Sequence, residues 1–169
     1  MTTEPTPTAP PPATYQLMVD GRPERVAGPP LRPLVAALRE DLDVTGPKLS
    51  CEIGICGACS VLLDGELVSG CLIPVALAAG RQVTTIAGLT PEDGLSPLQA
   101  AFVVHGAAQC GYCTPGQLVA ATALLAHDPS PSRSAVEAWM AGNLCRCTGY
   151  VAIVDAIVGA GHEAGPDHG

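Results

Sequence analysis

Cys51, Cys56 and Cys59 stand at C-x4-C-x2-C spacing, and Cys71 follows a short distance on. Thiolates in that order are the plant-type arrangement for holding a [2Fe–2S] cluster through four sulfurs, and the chemistry of such a cluster is one-electron transfer. The residues between the sulfurs matter as well. A loop that turns its backbone around an inorganic cluster needs positions that tolerate positive φ and close approach, and Gly54 and Gly57 supply both.

The other four cysteines form a second set, Cys110-Gly111-Tyr112-Cys113 and Cys145-Arg146-Cys147. Each pair is followed at once by a helix-start signal, Thr114-Pro115 and Thr148-Gly149, so the stretch is a pseudo-repeat of helix, cysteine pair, helix. Helix N-termini carry unpaired N–H groups and partial positive charge, which would stabilise an anionic four-thiolate cluster. Hydrogen bonds to cluster sulfurs set its potential. Arg146, between two ligands, either acts in that sense or makes a surface ion pair. Buried in a helical bundle, this cluster is expected to differ from the loop-held one, and two different clusters in one small protein make a one-electron relay.

Disulfides and zinc are the two alternatives that eight cysteines raise. Four disulfides would suit a secreted chain, but no signal peptide is visible and the cysteines lie in tight Gly-rich clusters. Structural zinc prefers paired C-x2-C knuckles; only Cys56/Cys59 and Cys110/Cys113 have that spacing, and Cys145/Cys147 are too close. No Ser-His-Asp set or P-loop is present. His105 falls on an apolar helical stripe and reads as a core residue, His127 lies near a helix end, and His162 and His168 fall in the tail.

The elements that must position these sulfurs can be read in part. Residues 1–13 carry five prolines and no apolar periodicity, a disordered tail. A strand at 15–19, the Asp20-Gly21 turn and a strand at about 24–27 make one hairpin, and 60–63, Asp64-Gly65 and 67–68 make another. Leu31, Leu34, Val35, Leu38 and Leu42 recur at helical spacing between them, and 82–86 is a closing strand. After Gly88 only helices follow. They start at the Ser96–Gln99 capping box, at Thr114-Pro115, at Ser134 and at Thr148, and the tail after Gly161 is polar and Gly-rich.

Composition sets bounds. A chain of 169 residues holds one domain or two small ones, and 47% apolar residues allow a packed core. Only five residues are aromatic, so Ala, Val and Leu must fill it. A net charge of −8 argues against nucleic-acid binding, which needs basic side chains. No apolar run is long enough for a membrane span, so direct membrane insertion is not expected; with no export signal visible, the expected location is cytoplasmic.

The Cys51–Cys71 pattern, Gln109-Cys110-Gly111-Tyr112-Cys113-Thr114-Pro115-Gly116 and Gly142-Asn143-Leu144-Cys145-Arg146-Cys147-Thr148-Gly149-Tyr150 together resemble the small iron–sulfur subunit of the xanthine oxidase family of molybdenum hydroxylases. The likeness spans about residues 14–160. It implies an α+β chain: a β-grasp plant-type ferredoxin domain over 14–88, an all-α four-helix bundle over 89–160 and a flexible tail over 161–169. Each domain would hold one [2Fe–2S] cluster, through Cys51, Cys56, Cys59 and Cys71, and through Cys110, Cys113, Cys145 and Cys147. The resemblance also implies a large partner subunit carrying a molybdenum–pterin, often as a cytosine dinucleotide, that oxidises an aldehyde, a purine, CO or an N-heterocycle. Electrons would pass through the bundle cluster and then the ferredoxin-type cluster to FAD in a medium subunit or to another acceptor. The family's pterin contacts map onto Gln109 and Cys147, and the loop around Glu52–Ile55, with Ile53 and Ile55, would face the acceptor. Ser60 stands where Thr is usual and Gly70 where Ser is common. The competing reading is a stand-alone two-cluster ferredoxin-like carrier, and a zinc-stabilised interaction module is a third.

Overall fold

The computed structural model of the protein describes residues 13–163. Residues 1–12 of the expected disordered head, and the tail from 164 with His168, lie outside the described residues, while Ala13 O accepts from Gly28 N at 3.0 Å. The described chain is a mixed α+β structure with a five-stranded sheet and six helices.

Strand β1 (Thr14–Val19) turns through Asp20-Gly21 into β2 (Arg22–Ala27). Strands β3 (Ser60–Leu63) and β4 (Glu66–Ser69) are joined in the same way by Asp64-Gly65. Both turn residues in each hairpin have positive φ, as a type I′ turn requires: 49° and 78° in the first, 52° and 88° in the second. Strand β5 (Gln82–Thr84) enters between the hairpins, parallel to β1 and antiparallel to β3, giving the order β2-β1-β5-β3-β4. Pro23 is tolerated because β2 is an edge strand. Helix α1 (Leu34–Glu40) buries Leu34, Ala37 and Leu38 among Leu17, Val19, Val26, Val61, Leu63 and Val83. Burial of each such Leu or Val side chain contributes about 1.5–3 kcal/mol before chain entropy is set against it.

The second core belongs to α3 (Pro97–Val104), α4 (Thr114–His127), α5 (Arg133–Met140) and α6 (Val151–Glu163), with Phe102, Leu118, Leu124, Val136, Ile153 and Ile157 inside. Leu67 of β4 and Ile86 pack against this helical core. All four residues of β3 are buried, because α4 lies against the strand as well as the sheet's own core. The two halves therefore share a face.

Several expectations are corrected. A four-residue helix, α2 (Val75–Ala78), precedes β5 and had no legible signal in Ala-rich sequence. Helix α1 begins after Pro33, leaving Leu31 exposed. Strand β2 begins at Arg22 rather than near Glu24, and β5 ends at Thr84, where the Asp20 carboxylate accepts from Thr85 N and Oγ1 at 2.6 and 2.7 Å. The capping box at Ser96 and Gln99 is formed in both directions. For α5 the cap is Ser132, not Ser134, accepting from Ala135 N at 3.2 Å. His105 is exposed rather than packed in a core, because α3 ends at Val104 and the chain turns away at Gly106, whose φ is 61°. Helix α6 starts at Val151, not near Thr148, and runs to Glu163, past the point where the tail was expected to begin.

Candidate iron–sulfur sites

Three sulfurs of the first set, Cys51, Cys56 and Cys59, lie on the loop between α1 and β3, and Cys71 follows β4. Glu52, Gly54 and Gly57 have φ of 59°, 75° and 67°, so the chain coils back on itself. The backbone N–H groups of Ile53, Cys56 and Ile55 point to the Cys51 sulfur, with Cys56 N at 3.5 Å. Those donors, helped by the Cys56 thiol, hold Cys51 well below the ordinary thiol range, at about 6. Cys59 and Cys71 are buried against Val35. Burial pushes the Cys59 thiol up to about 12. A thiol in such a place stays protonated by itself and gives up its proton on binding a metal.

The second set repeats the arrangement on helix ends. Cys113 is the residue immediately before α4, and burial pushes its thiol up to about 11, with the neighbouring Cys145 thiol acting in the same direction. Cys145 lies below its ordinary value: burial works against this, but the Thr148 hydroxyl and the N–H groups of Thr148 and Cys147 outweigh it. Thr148 Oγ1 donates to Cys145 Sγ at 3.1 Å and Thr148 N at 3.4 Å. This use of Thr148, together with φ of 69° and 71° at Gly149 and Tyr150, delays α6 to Val151. Cys145 N donates to Tyr150 Oη at 2.9 Å. Cys147 and Cys110 are exposed, their sulfurs 3.6 Å apart, and the hydrogen bond with Cys110 is the main cause that raises the Cys147 thiol. The set expected to be buried in the bundle is thus the more open one in this chain.

In both sets the thiols come in twos: Cys51 with Cys56, Cys59 with Cys71, Cys110 with Cys147, and Cys113 with Cys145. The two pairs of a set are close enough for charge on one to bear on the other, Cys56 on Cys59 and Cys145 on Cys147. Among the described residues no three His, Cys, Asp or Glu side chains are gathered as a single metal ion requires. Pairs suit a different object, two irons that each take two thiolates. The donor set and the N–H groups aimed at sulfur fit such a cluster at both places.

Between the sets lies a contact that spacing alone does not reveal. The buried Asn143 amide donates to Gly57 O at 3.3 Å and to Gly116 O at 3.2 Å. Leu144 N donates to Cys56 O at 2.9 Å, and Tyr112 Oη to Leu49 O at 2.8 Å. A Cβ on Gly57 would run into the Asn143 amide and lie 2.6 Å from Gly142 O, and one on Gly116 would strike Gly57 O. Gly57 is therefore required by the other half of the chain as well as by its own loop. Gln117, 1% exposed, donates to Cys113 Sγ at 3.7 Å and to Asn143 O at 3.4 Å. Asn143, Gly57 and Gly116 belonged to recognisable motifs, but the pairing of Asn143 with Gly57 across 86 residues and with Gly116 across 27 did not show.

The remaining expected residues sit at the surface. Gln109 is exposed beside exposed Cys110. Arg146 is exposed and, among the described residues, makes no ion pair. Ile53 and Ile55 are 64% and 58% exposed, and Leu72, against which a Gly54 Cβ would press, is 57% exposed. No helix among the described residues is long and apolar enough to cross a membrane.

Paired thiols in N–H-lined loops on an α+β chain define an iron–sulfur electron-transfer protein. A family model described as a [2Fe-2S] binding domain matches residues 85–158. The nicotine 6-hydroxylase small subunit of Paenarthrobacter nicotinovorans is 46% identical over 151 residues, 89% of this chain and 91% of that one. The crystal structure of quinoline 2-oxidoreductase from Pseudomonas putida contains a chain with a TM-score of 0.87 and 40% identity, covering 92% of this chain and 97% of that one. The aldehyde oxidoreductase from Desulfovibrio desulfuricans matches with a TM-score of 0.84 and 45% identity, covering 89% of this chain but 17% of that much longer one. This chain belongs to the iron–sulfur small subunits of the xanthine oxidase family, electron-transfer components of oxidoreductases of the molybdenum hydroxylase class.

Proposed function

We propose that the chain holds two [2Fe–2S] clusters, one on Cys51, Cys56, Cys59 and Cys71 and one on Cys110, Cys113, Cys145 and Cys147. The observation that carries this is the pairing of the thiols two by two in both sets. Such clusters, when bound, supply one-electron transfer. The chain's own part is to present the sulfurs in pairs, to aim N–H groups at Cys51 and Cys145, and to shield Cys59 and Cys71 from water. In this reading residues 14–88 form a β-grasp ferredoxin-type unit and 89–160 a four-helix bundle.

The open Cys110/Cys147 edge faces the large molybdenum subunit, with Gln109 and Cys147 against its pterin, in the cytosine dinucleotide form. The exposure of Gln109, Cys110 and Cys147 supports this, since a ligand edge left open in the free chain is one a partner can cover. The Cys51 loop faces an FAD-bearing subunit or another acceptor, and its exposed Ile53, Ile55 and Leu72 make an apolar patch suited to an interface. The substrate is oxidised in the partner, so an aldehyde, a purine, CO and an N-heterocycle all fit this chain equally.

Iron and acid-labile sulfide analysis, with EPR of the dithionite-reduced protein, tests the reading. Four irons per chain and two distinct signals are expected. Two irons with a single signal, or a colourless zinc protein, would overturn it. Co-purification of the untagged chain with a molybdenum-containing subunit separates this assignment from a free carrier.

A further inference from the structure

Gln117 is a buried amide in a helix whose neighbours are Leu, Val and Ala. Its Oε1 has no hydrogen-bond partner among the described residues. An unsatisfied buried acceptor is destabilising, and an apolar side chain of similar length would remove that cost. The amide nitrogen, by contrast, is used twice. It donates to Asn143 O at 3.4 Å and to Cys113 Sγ at 3.7 Å. The orientation is determined by these two acceptors: turned over, the amide would set its oxygen against a carbonyl oxygen and a sulfur. Asn143 is itself held by Gly57 O and Gly116 O, so the amide rests on a rigid support. The helical register does the rest, since Gln117 N bonds Cys113 O and places position 117 one turn above the sulfur.

We infer that Gln117 is a positioning residue that sets the reduction potential of the cluster ligated by Cys113, by holding an N–H against that sulfur. A donor to a cluster sulfur stabilises the reduced state, which carries one more negative charge, more than the oxidised state. It therefore raises the potential. Among the described residues no sulfur of the Cys51 loop takes a hydrogen bond from the Gln117 side chain, so the residue acts on the spacing between the two potentials. The inference rests on the assignment of Cys113 as a ligand.

The test uses the intact complex and follows both EPR signals in a redox titration. Cys113→Ser first identifies the signal belonging to the helical half. If that variant perturbs neither signal, the ligand assignment itself fails. In Gln117→Met, which keeps length and burial, the identified signal should fall in midpoint by about tenfold in its reduction equilibrium, ~59 mV for a one-electron couple. The other signal should stay in place. An unshifted midpoint with both clusters present, or equal shifts in both, would overturn the inference. A purely structural role would lower the unfolding midpoint without moving either potential. Should Gln117→Met not fold, the unaltered protein labelled with ¹⁵N at the glutamine side-chain amide gives a second reading. A ¹⁵N coupling in the pulsed EPR of the identified signal, retained in Gln109→Ala, supports the contact, and its absence overturns it.

Discussion

The glycine at position 57 offers the sharpest check on how the two halves are joined. Its φ of 67° costs a side chain about 1–2 kcal/mol wherever it occurs. Gly65 supplies that reference, because its φ is 88° and a Cβ there meets nothing within 4 Å. Gly65→Ala should thus cost only the conformational term. Gly57→Ala adds a clash with the Asn143 amide and an approach of 2.6 Å to Gly142 O, which is backbone and cannot swing aside. Overpacking of this kind costs about 1–3 kcal/mol, so the total should be about 2–5 kcal/mol. Asn143→Ala removes two hydrogen bonds worth about 0.5–1.5 kcal/mol each, although Gly57 O keeps Ser60 N at 3.2 Å. The double variant should fall short of the sum by about 1–2 kcal/mol, because the struck amide is gone and the Gly57 hydrogen bond is lost only once. Urea unfolding, followed by circular dichroism and by visible absorbance, measures the four variants against the unaltered protein. Gly57→Ala matching Gly65→Ala within about 0.5 kcal/mol, or an additive double variant, would refute an interlock through Gly57 and Asn143.

Three further outcomes are expected. Cys56→Ser should remove one EPR signal and leave the other, and Cys145→Ser the reverse with weaker retention of the large subunit, because each substitution spares the backbone bond from Leu144 N to Cys56 O; loss of both signals in folded protein would contradict separate sites. Asp41 sits in a two-pronged ion pair with Arg32 at 2.7 and 2.8 Å, and that guanidinium, acting against some burial, holds its carboxyl below the ordinary 3.8. The pair's stabilisation is complete above about pH 5, begins to fade near the unfolded value of 3.8 and is lost as pH falls through the lowered pKa. Asp41→Asn should therefore cost about 1 kcal/mol at pH 7 and progressively less in acid, read as a converging pair of unfolding midpoints. Ile53→Glu with Ile55→Glu should leave iron content unchanged and slow electron delivery to the acceptor, measured by stopped-flow reoxidation; unchanged kinetics would place the acceptor elsewhere.

The sulfur sets were legible because the cysteines fall in short local groups, Cys51–Cys59 with Cys71 nearby and two pairs each set before a helix-start signal, and the hairpins because Asp-Gly turns announce themselves locally. Helix starts at Ser96 and Thr114 were legible for the same reason. Thr148 misled because the hydroxyl that looks like a cap is engaged with Cys145 Sγ. His105 misled because periodicity carried the stripe one residue beyond the helix end. The junction of the halves was invisible, since its parts are a glycine, an asparagine and another glycine with no shared spacing. Each had a sufficient local role, so nothing in the sequence demanded a second one.

That junction changes what the two halves are to each other. Had they been beads on a string, the separation of the clusters would vary with the linker, and each potential would be set within its own half. Here the residue that carries the Cys56 sulfur accepts a hydrogen bond from the neighbour of Cys145. The amide network that reaches Cys113 Sγ is anchored, through Asn143, on the Cys51–Cys59 loop. Small residues let the backbones meet, and a buried amide then fixes the register, as polar groups do in packed cores. The exposed sulfurs, Cys110 and Cys147, are left at the surface, while this joint is buried. On the proposed assignment of both sulfur sets, a relay built this way keeps the spacing between its two sites fixed while the exposed Cys110/Cys147 edge and the exposed Ile53 and Ile55 stay clear of the joint.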